Sequence, residues 1–262
     1  MIFINTMTEE LININGCSLP KKDWIDEEYY YLNIHAQGTE HWKHMRQKLY
    51  LLTASRFGEI YAPFNKVDNQ PEEIAREIVG LKVKYVDPYY KELMENGTKT
   101  EPIARKYYED LKGVKVREVG LAVPKWDTRI GYSADGFVDD GLIEIKSPKK
   151  MYKKLKLYLQ AKENKYELSP DYHDHISIYH YCQMQVGMII CAKPWCDYIV
   201  YCSEESLVFL ERVYFNQNFW YNELYPKINY FLTNYLQPLI YIMRYNKEEN
   251  NNRVEECKSI TS

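Results

Sequence analysis

A chain of 262 residues, 45% hydrophobic and 27% charged, has the makeup of a soluble globular protein large enough for one substantial domain. A formal net charge of −3 excludes coating nucleic acid by bulk attraction, and the longest apolar run, the seven residues Val186 to Ala192, is too short to span a membrane. The start, Met1-Ile2-Phe3-Ile4-Asn5, lacks the basic and apolar regions of a secretory signal, which predicts a cytoplasmic or nuclear location.

Residues 1–35 read as a loosely organised lead-in, acidic around Asp23 to Glu28. From Thr39 to Ile60 the pattern is helix, short break, helix: Trp42, Met45 and Leu49 recur at helical spacing, and Thr53 or Ser55 suits the N-cap of the second helix. Pro71 opens a helix through Val79. Gly97-Thr98-Lys99-Thr100-Glu101-Pro102 leads into a helix with Ile103, Tyr107 and Leu111 on one face and Gly113 as its terminator. Val114 to Val123, Arg129 to Val138 and Leu142 to Ser147 alternate as strands of an antiparallel meander, turning at Lys125-Trp126-Asp127 and Asp140-Gly141. Residues 141–170 then hold eight lysines against three glutamates, a local charge of +5 that suits either phosphate-backbone contact or a solvated helix. A helix from about Asp174 to Ile190, a strand pair at Asp197 to Cys202 and Ser206 to Val213, and an aromatic helical region from Asn216 to about Tyr235 precede a polar tail, 246–262. No linker divides the chain, so 36–245 is expected to form one α/β domain. The six cysteines contain no Cys-x-x-Cys pair and read as reduced, mostly buried thiols. The alternative, a zinc or iron–sulfur site from Cys182, Cys191, Cys196 and Cys202 with His173 or His175, has the wrong spacings for a compact knuckle.

The chemistry concentrates between Gly131 and Lys146. Asp140-Gly141 favours a tight type I′ turn, which sets Asp139 opposite Leu142, Phe137 opposite Glu144 and Asp135 opposite Lys146. Asp135, Glu144 and Lys146 then share one sheet face. Two carboxylates and an ammonium around one point suit a hard divalent cation with a cationic partner for an anion or water, the layout of a metal-dependent phosphodiester hydrolase. A three-residue turn would throw Asp135 to the other face, and a bulge at Asp135-Gly136 would bring it back. Glu101, at the start of its helix, either complements the helix dipole or adds a third carboxylate. Gln183 and Gln185 are two apart on a helix, so only one can face the site, where its amide would hold water or a phosphate oxygen. Arg46 and Ser55 flank the first break and either grip a terminal phosphate or decorate the surface. His173, His175 and His180 read as surface or packing residues.

Taken in order, these segments resemble the phage lambda exonuclease family, also called YqaJ-type viral recombinases or viral alkaline exonucleases, within the PD-(D/E)xK nucleases. The resemblance runs from about Trp42 to Tyr235 and is carried by Trp42-x3-Arg46 with Leu52-Thr53-Ala54-Ser55, Gly97-x3-Glu101-Pro102-x-Ala104-x2-Tyr107-Tyr108, Ser133-Ala134-Asp135-Gly136, Leu142-Ile143-Glu144-Ile145-Lys146-Ser147-Pro148 and Tyr181-x-Gln183-x-Gln185. It implies a restriction-endonuclease-like α/β core: a mixed central sheet with an antiparallel meander, flanked by helices. Asp135, Glu144 and the Ile145 carbonyl would hold Mg²⁺, with Mn²⁺ as a substitute, and Glu101 would be the additional acid. Lys146 would orient or activate water beside Gln183, while Arg46, Ser55 and Ser133 would hold a DNA 5′-phosphate. Lys149, Lys150 and Lys153 would track the DNA backbone. The implied activity is 5′→3′ exonuclease action on duplex DNA ends at alkaline pH, in viral DNA recombination, repair or replication. A single-strand annealing protein and a homo-oligomeric ring are the implied partners. A structure-specific or restriction-like endonuclease, or a non-catalytic DNA-binding recombination protein, are the competing readings.

Overall fold

The computed structural model describes residues 10–62, 70–163, 175–202, 204–205 and 207–245. His173, Asp174, Ser206 and the polar tail from 246 lie outside them. The lead-in is more ordered than its sequence suggests. β1 (Leu11–Ile14) and β2 (Cys17–Pro20) form a hairpin, and β3 (Trp24–Asp26) and β4 (Tyr30–Asn33) begin a five-stranded sheet. Ile14, Leu19 and Trp24 are too scattered for a periodic signal, yet they are buried against Trp42, Met45 and Leu49, the face of α1 (Glu40–Leu49) that helical spacing predicts.

The break after α1 holds β5 (Leu52–Thr53) before α2 (Phe57–Tyr61), and α3 (Pro71–Ile78) follows. Neither Thr53 nor Ser55 caps α2: Arg56 occupies the N-cap position, with no side-chain cap bond. α4 (Pro88–Lys112) is capped by Asp87 and runs straight through Gly97 and Pro102, so Glu101 lies in mid-helix, too far from the N-terminus to complement the dipole. The Thr98 and Thr100 hydroxyls donate back to the carbonyls of Met94 and Asn96, extra bonds in the turns that lead up to the proline. Ile103, Tyr107 and Leu111 are exposed. The buried face is Ala104 and Tyr108, whose hydroxyl donates to Asp197 at 2.8 Å, because the close approach of the sheet requires a small residue and a satisfied polar tip.

The meander is shorter than predicted. β6 (Leu121–Pro124) pairs with β7 (Ile130–Ser133), while 114–120 contributes only a bridge from Arg117 to Phe137. At Ala134-Asp135 the chain bends, so that β8 (Gly136–Val138) and β9 (Gly141–Lys146) belong to a second sheet. Their turn is Asp139-Asp140, with φ +48° at Asp139, and Val138 pairs with Gly141, Phe137 with Leu142 and Gly136 with Ile143. The register is two residues away from an Asp140-Gly141 turn. A shift of two preserves which residues share a face, and one step beyond the ladder Asp135 stands opposite Glu144. Gly141 is needed for another reason: a Cβ there would sit 2.3 Å from the Trp195 ring.

After α5 (Lys153–Glu163), α6 (Ile178–Ile190) starts at Ser177, later than the spacing suggested. β10 (Trp195–Cys202) then returns parallel to β9, and β11 (Leu207–Tyr214) pairs antiparallel with β10. The two sheets run β3-β4-β6-β7-β5 and β11-β10-β9-β8. A helical rod over 217–245 completes the described chain and includes α7 (Tyr225–Phe231). It widens into π-helical turns at Phe219–Leu224 and Leu232–Leu236, each ending within two residues of a proline, Pro226 or Pro238, which cannot donate to the regular ladder. The main core lies between α6, this rod and one face of the sheets.

Candidate active site

β9 is the central support of the site, because it is buried on both faces. Leu142 joins the core packed on α6, while Ile143 and Ile145 pack against Ala104 and Tyr108 of α4. Alternation along the strand puts Glu144 and Lys146 on the α6 side, where the Lys146 ammonium donates to Glu144 Oε1 at 2.5 Å and to Gln183 Oε1 at 3.3 Å. Glu144 is fully buried, and the Tyr132 hydroxyl also reaches its Oε2, at 3.4 Å. Gly187 makes room for that tyrosine, since a Cβ on it would fall 2.5 Å from the ring. Asp135, at the bend, accepts the Ile145 N–H at 2.6 Å.

These carboxylates are held in a medium that resists their charge. Burial foremost, then repulsion from Asp135, pushes the Glu144 carboxyl up to about 7 against the pull of Lys146. Burial also raises the Asp135 carboxyl, although Lys146 and the Ile145 N–H oppose it. Burial alone would lower the Lys146 ammonium, but Glu144 and Asp135 outweigh it and hold the pKa above its usual value. Glu101 projects from the middle of α4 into the same cleft, its carboxyl raised to about 7 by burial first and by Asp135 second. One turn on, Arg105 donates to Glu101 Oε1 at 2.5 Å and to the Asp135 carbonyl at 3.2 Å, and pairs with Glu118 at 3.0 Å. Arg105 was not singled out in the sequence. The i,i+4 spacing from Glu101 was its available signal, and it becomes readable only once the helix is known to include both residues.

A cavity of about 830 Å³ joins this group to a second one. Arg46 stacks on the Trp42 ring at 4.4 Å and donates to Thr53 Oγ1 at 3.2 Å, and the Thr53 and Ser55 hydroxyls are 3.3 Å apart. Trp42 Nε1 donates to Ser133 Oγ at 2.9 Å, tying α1 to the end of β7. The hydroxyls expected to cap α2 thus line the cavity instead, and Thr53, read in the sequence as a cap and as part of a motif, stands there with Arg46, Ser55 and Ser133. Tyr89, Tyr90, Leu93 and Met94 of α4 form a further wall. Lys149 and Lys150 also line the cavity, Lys149 in an ion pair with Glu92 at 2.5 Å. Lys153 is not brought there and opens α5 in an exposed position.

Gln183 lines the cavity. Gln185 is buried elsewhere, bonding the Tyr214 carbonyl at 2.9 Å and the Asn216 N–H at 2.7 Å. His175 stacks on Tyr158 and bonds Glu211 at 2.7 Å, and His180 accepts from or donates to the Tyr198 hydroxyl at 2.8 Å. Burial, then Lys146, lowers the His180 pKa to about 3, so its ring is neutral. The five described cysteines are free, and four of them are buried. Burial pushes the Cys182 thiol up to about 12, and among the described residues no cysteine belongs to a cluster that could hold a metal.

Asp135, Glu144 and the adjacent backbone of Ile145 offer an all-oxygen donor set, which fits a hard divalent cation that keeps several of its waters. Glu101 lines the same cavity and feels the Asp135 charge, so its carboxylate faces the group that would hold the cation.

A bent strand pair carrying Asp135 and Glu144-x-Lys146, backed by a helix with Glu101, belongs to the PD-(D/E)xK type of nuclease core, a mixed α/β fold. Two solved structures are similar over 82% of this chain and 99% of theirs: LHK-Exo in complex with dAMP (25% identity, TM-score 0.56) and the alkaline exonuclease LHK-Exo from Laribacter hongkongensis (26%, 0.55). No curated protein matches the sequence. The model of the YqaJ-like viral recombinase domain matches residues 41–194. The chain belongs to that family, and with its exonuclease-like fold it is a nuclease of the recombination type. Among the described residues no helix is long and apolar enough to cross a membrane.

Proposed function

We propose that the protein is a Mg²⁺-dependent exonuclease that hydrolyses duplex DNA from its ends, 5′→3′, in the recombination, repair or replication of viral DNA. The observation that carries this reading is one cleft shared by Asp135, Glu144 and Lys146 with Arg46, Ser55 and Ser133.

Asp135, Glu144 and the Ile145 carbonyl hold the Mg²⁺ (or Mn²⁺), which when bound supplies Lewis-acid stabilisation and a more acidic water. Lys146, fixed by Glu144 and Gln183, neutralises charge that develops on the phosphoryl oxygens. The Gln183 amide NH₂ can donate to the attacking water or to a phosphate oxygen. Arg46, already stacked on Trp42, supplies a fork of donors for a terminal 5′-phosphate, with Thr53, Ser55 and Ser133 hydroxyls around it. An end held there offers a bond close to the terminus for hydrolysis. The dAMP bound to the similar exonuclease supports a nucleoside monophosphate as the product. Lys149, Lys150 and Lys153 track the backbone without reading bases. Burial holds the Glu101 and Glu144 carboxyls above the usual carboxylate range in the metal-free protein, so a rising pH favours the charged forms that take up a cation, in keeping with an alkaline optimum. A single-strand annealing protein would receive the exposed strand, and a homo-oligomeric ring would keep the enzyme on its track.

The test incubates purified protein and Mg²⁺ with linear duplex bearing 5′-phosphate or 5′-hydroxyl ends, and with supercoiled circles. The expected result is degradation of the linear DNA, faster from phosphorylated ends, with circles left intact. Cut circles would favour a structure-specific or restriction-like endonuclease. Equal rates at both ends would undo the phosphate pocket, and no degradation of any substrate would favour a non-catalytic DNA-binding protein.

A further inference from the structure

Away from the cleft, one carboxylate oxygen of Asp23 and one ring nitrogen each from His35 and His41 lie within 4.8 Å of one another. No other such group of three occurs among the described residues. Asp23 closes a 3-10 turn (Lys21–Asp23), His35 follows β4, and His41 lies in the first turn of α1. His35 Nε2 is 3.5 Å from Asp23 Oδ1, and His41 Nε2 is 3.8 Å from Oδ2. Neither contact is a hydrogen bond. Both Nε2 atoms are nevertheless shut off from solvent without a hydrogen-bond partner among the described residues, an arrangement that is costly unless something satisfies them.

The surrounding geometry suits a cation. The ligand atoms of a tetrahedral zinc, with bonds of about 2.1 Å, stand about 3.4 Å apart; the two Asp23–histidine contacts of 3.5 and 3.8 Å are near that, and the three ligand atoms lie within 4.8 Å of one another. The imidazole centroids are only 3.6 Å apart, which opposes protonating both rings. Burial first, then the neighbouring His35, lowers the His41 pKa despite Asp23, favouring the neutral ring that a metal requires. The backbone around the group is already fixed: Asn33 Nδ2 and the Ile34 N–H both donate to the Asp23 carbonyl, and the His35 N–H donates to Asn33 Oδ1. Such outer bonds orient ligands before any ion arrives.

We propose that Asp23, His35 and His41 bind one divalent transition-metal ion of the zinc class, with water in the remaining position, and that the ion ties the β3–β4 hairpin to α1. This site is separate from the cleft carboxylates and takes imidazole nitrogen, which Mg²⁺ does not favour.

The test uses full-length protein stripped with a chelator and titrated with Zn²⁺ by calorimetry, and with Co²⁺ as a coloured probe. Glu144→Gln serves as the parent, so that zinc held by the cleft does not confuse the count. The expected result is one zinc equivalent, a tetrahedral Co²⁺ absorption band, and a rise in Tm with Zn²⁺. His35→Gln or His41→Gln in that parent should cost about tenfold or more in affinity and remove the band. A parent that takes up no zinc would overturn the proposal. So would a histidine variant with the parent's circular dichroism spectrum and undiminished zinc affinity. Glutamine is chosen over alanine to keep the packing between the two elements.

Discussion

Glu144→Gln removes a charge and almost no volume from a side chain with no solvent exposure. In the folded protein its carboxyl is raised from 4.5 to about 7, with burial the largest cause. The native state therefore holds this proton more tightly than the unfolded chain does. The stability it contributes is full below pH 4.5 and is lost as the pH rises through 7. At about 1.36 kcal/mol per pH unit, the loss comes to about 3 kcal/mol. The glutamine variant resembles the protonated wild type and escapes it. For a chain of this size that difference is worth about 6–12 °C in Tm. The assay is thermal unfolding of both proteins in a chelator across about pH 5 to pH 8. Near pH 5 the two should nearly coincide, and at pH 8 the variant should melt higher. Mg²⁺ should narrow the gap by stabilising the wild type alone, and the variant should degrade no DNA. Equal Tm values at pH 8, or a lower Tm for the variant, would refute the reasoning, because they would mean that pairing with Lys146 offsets or outweighs burial at Glu144.

Lys146→Ala should lower hydrolysis of linear duplex by about 10²–10³-fold with the fold retained, and undiminished rates would remove Lys146 from the chemistry. Arg105→Ala frees Glu101 and the Asp135 carbonyl from their shared guanidinium. It should cut kcat by about 10–100-fold with little change in DNA affinity, and an unchanged kcat would show that the arginine positions nothing that matters. Gly141→Ala puts a methyl 2.3 Å from the Trp195 ring. A urea titration should reveal a loss of about 1–3 kcal/mol, whereas an unaltered midpoint would mean that Trp195 swings clear.

The family and its fold were legible through the resemblance carried by the ordered motifs from Trp42 to Gln185, and the chemical character of the Gly131–Lys146 segment was legible because strand alternation is strictly local. Asp135, Glu144 and Lys146 share a face whether the turn is Asp140-Gly141 or, as it is, Asp139-Asp140, since the two registers differ by an even step. The face of α1 was equally readable from Trp42, Met45 and Leu49. Helix α4 was not: Gly97 and Pro102 are local breakers, yet the helix runs through both, anchored beyond them by the packing of Ala104 and Tyr108 against Ile143 and Ile145. With the helix start misplaced, Glu101 read as either a dipole partner or a third carboxylate, and Arg105 carried no signal of its own. Tertiary contact likewise decided the role of Thr53, whose hydroxyl could cap a helix or meet Arg46, and the grouping of Asp23, His35 and His41, which have no motif spacing. Local periodicity thus determined which residues could act together along one element. Which elements meet, and so which distant side chains share a cleft or a cation, was decided by burial of their opposite faces, a free energy that exists only in the assembled fold.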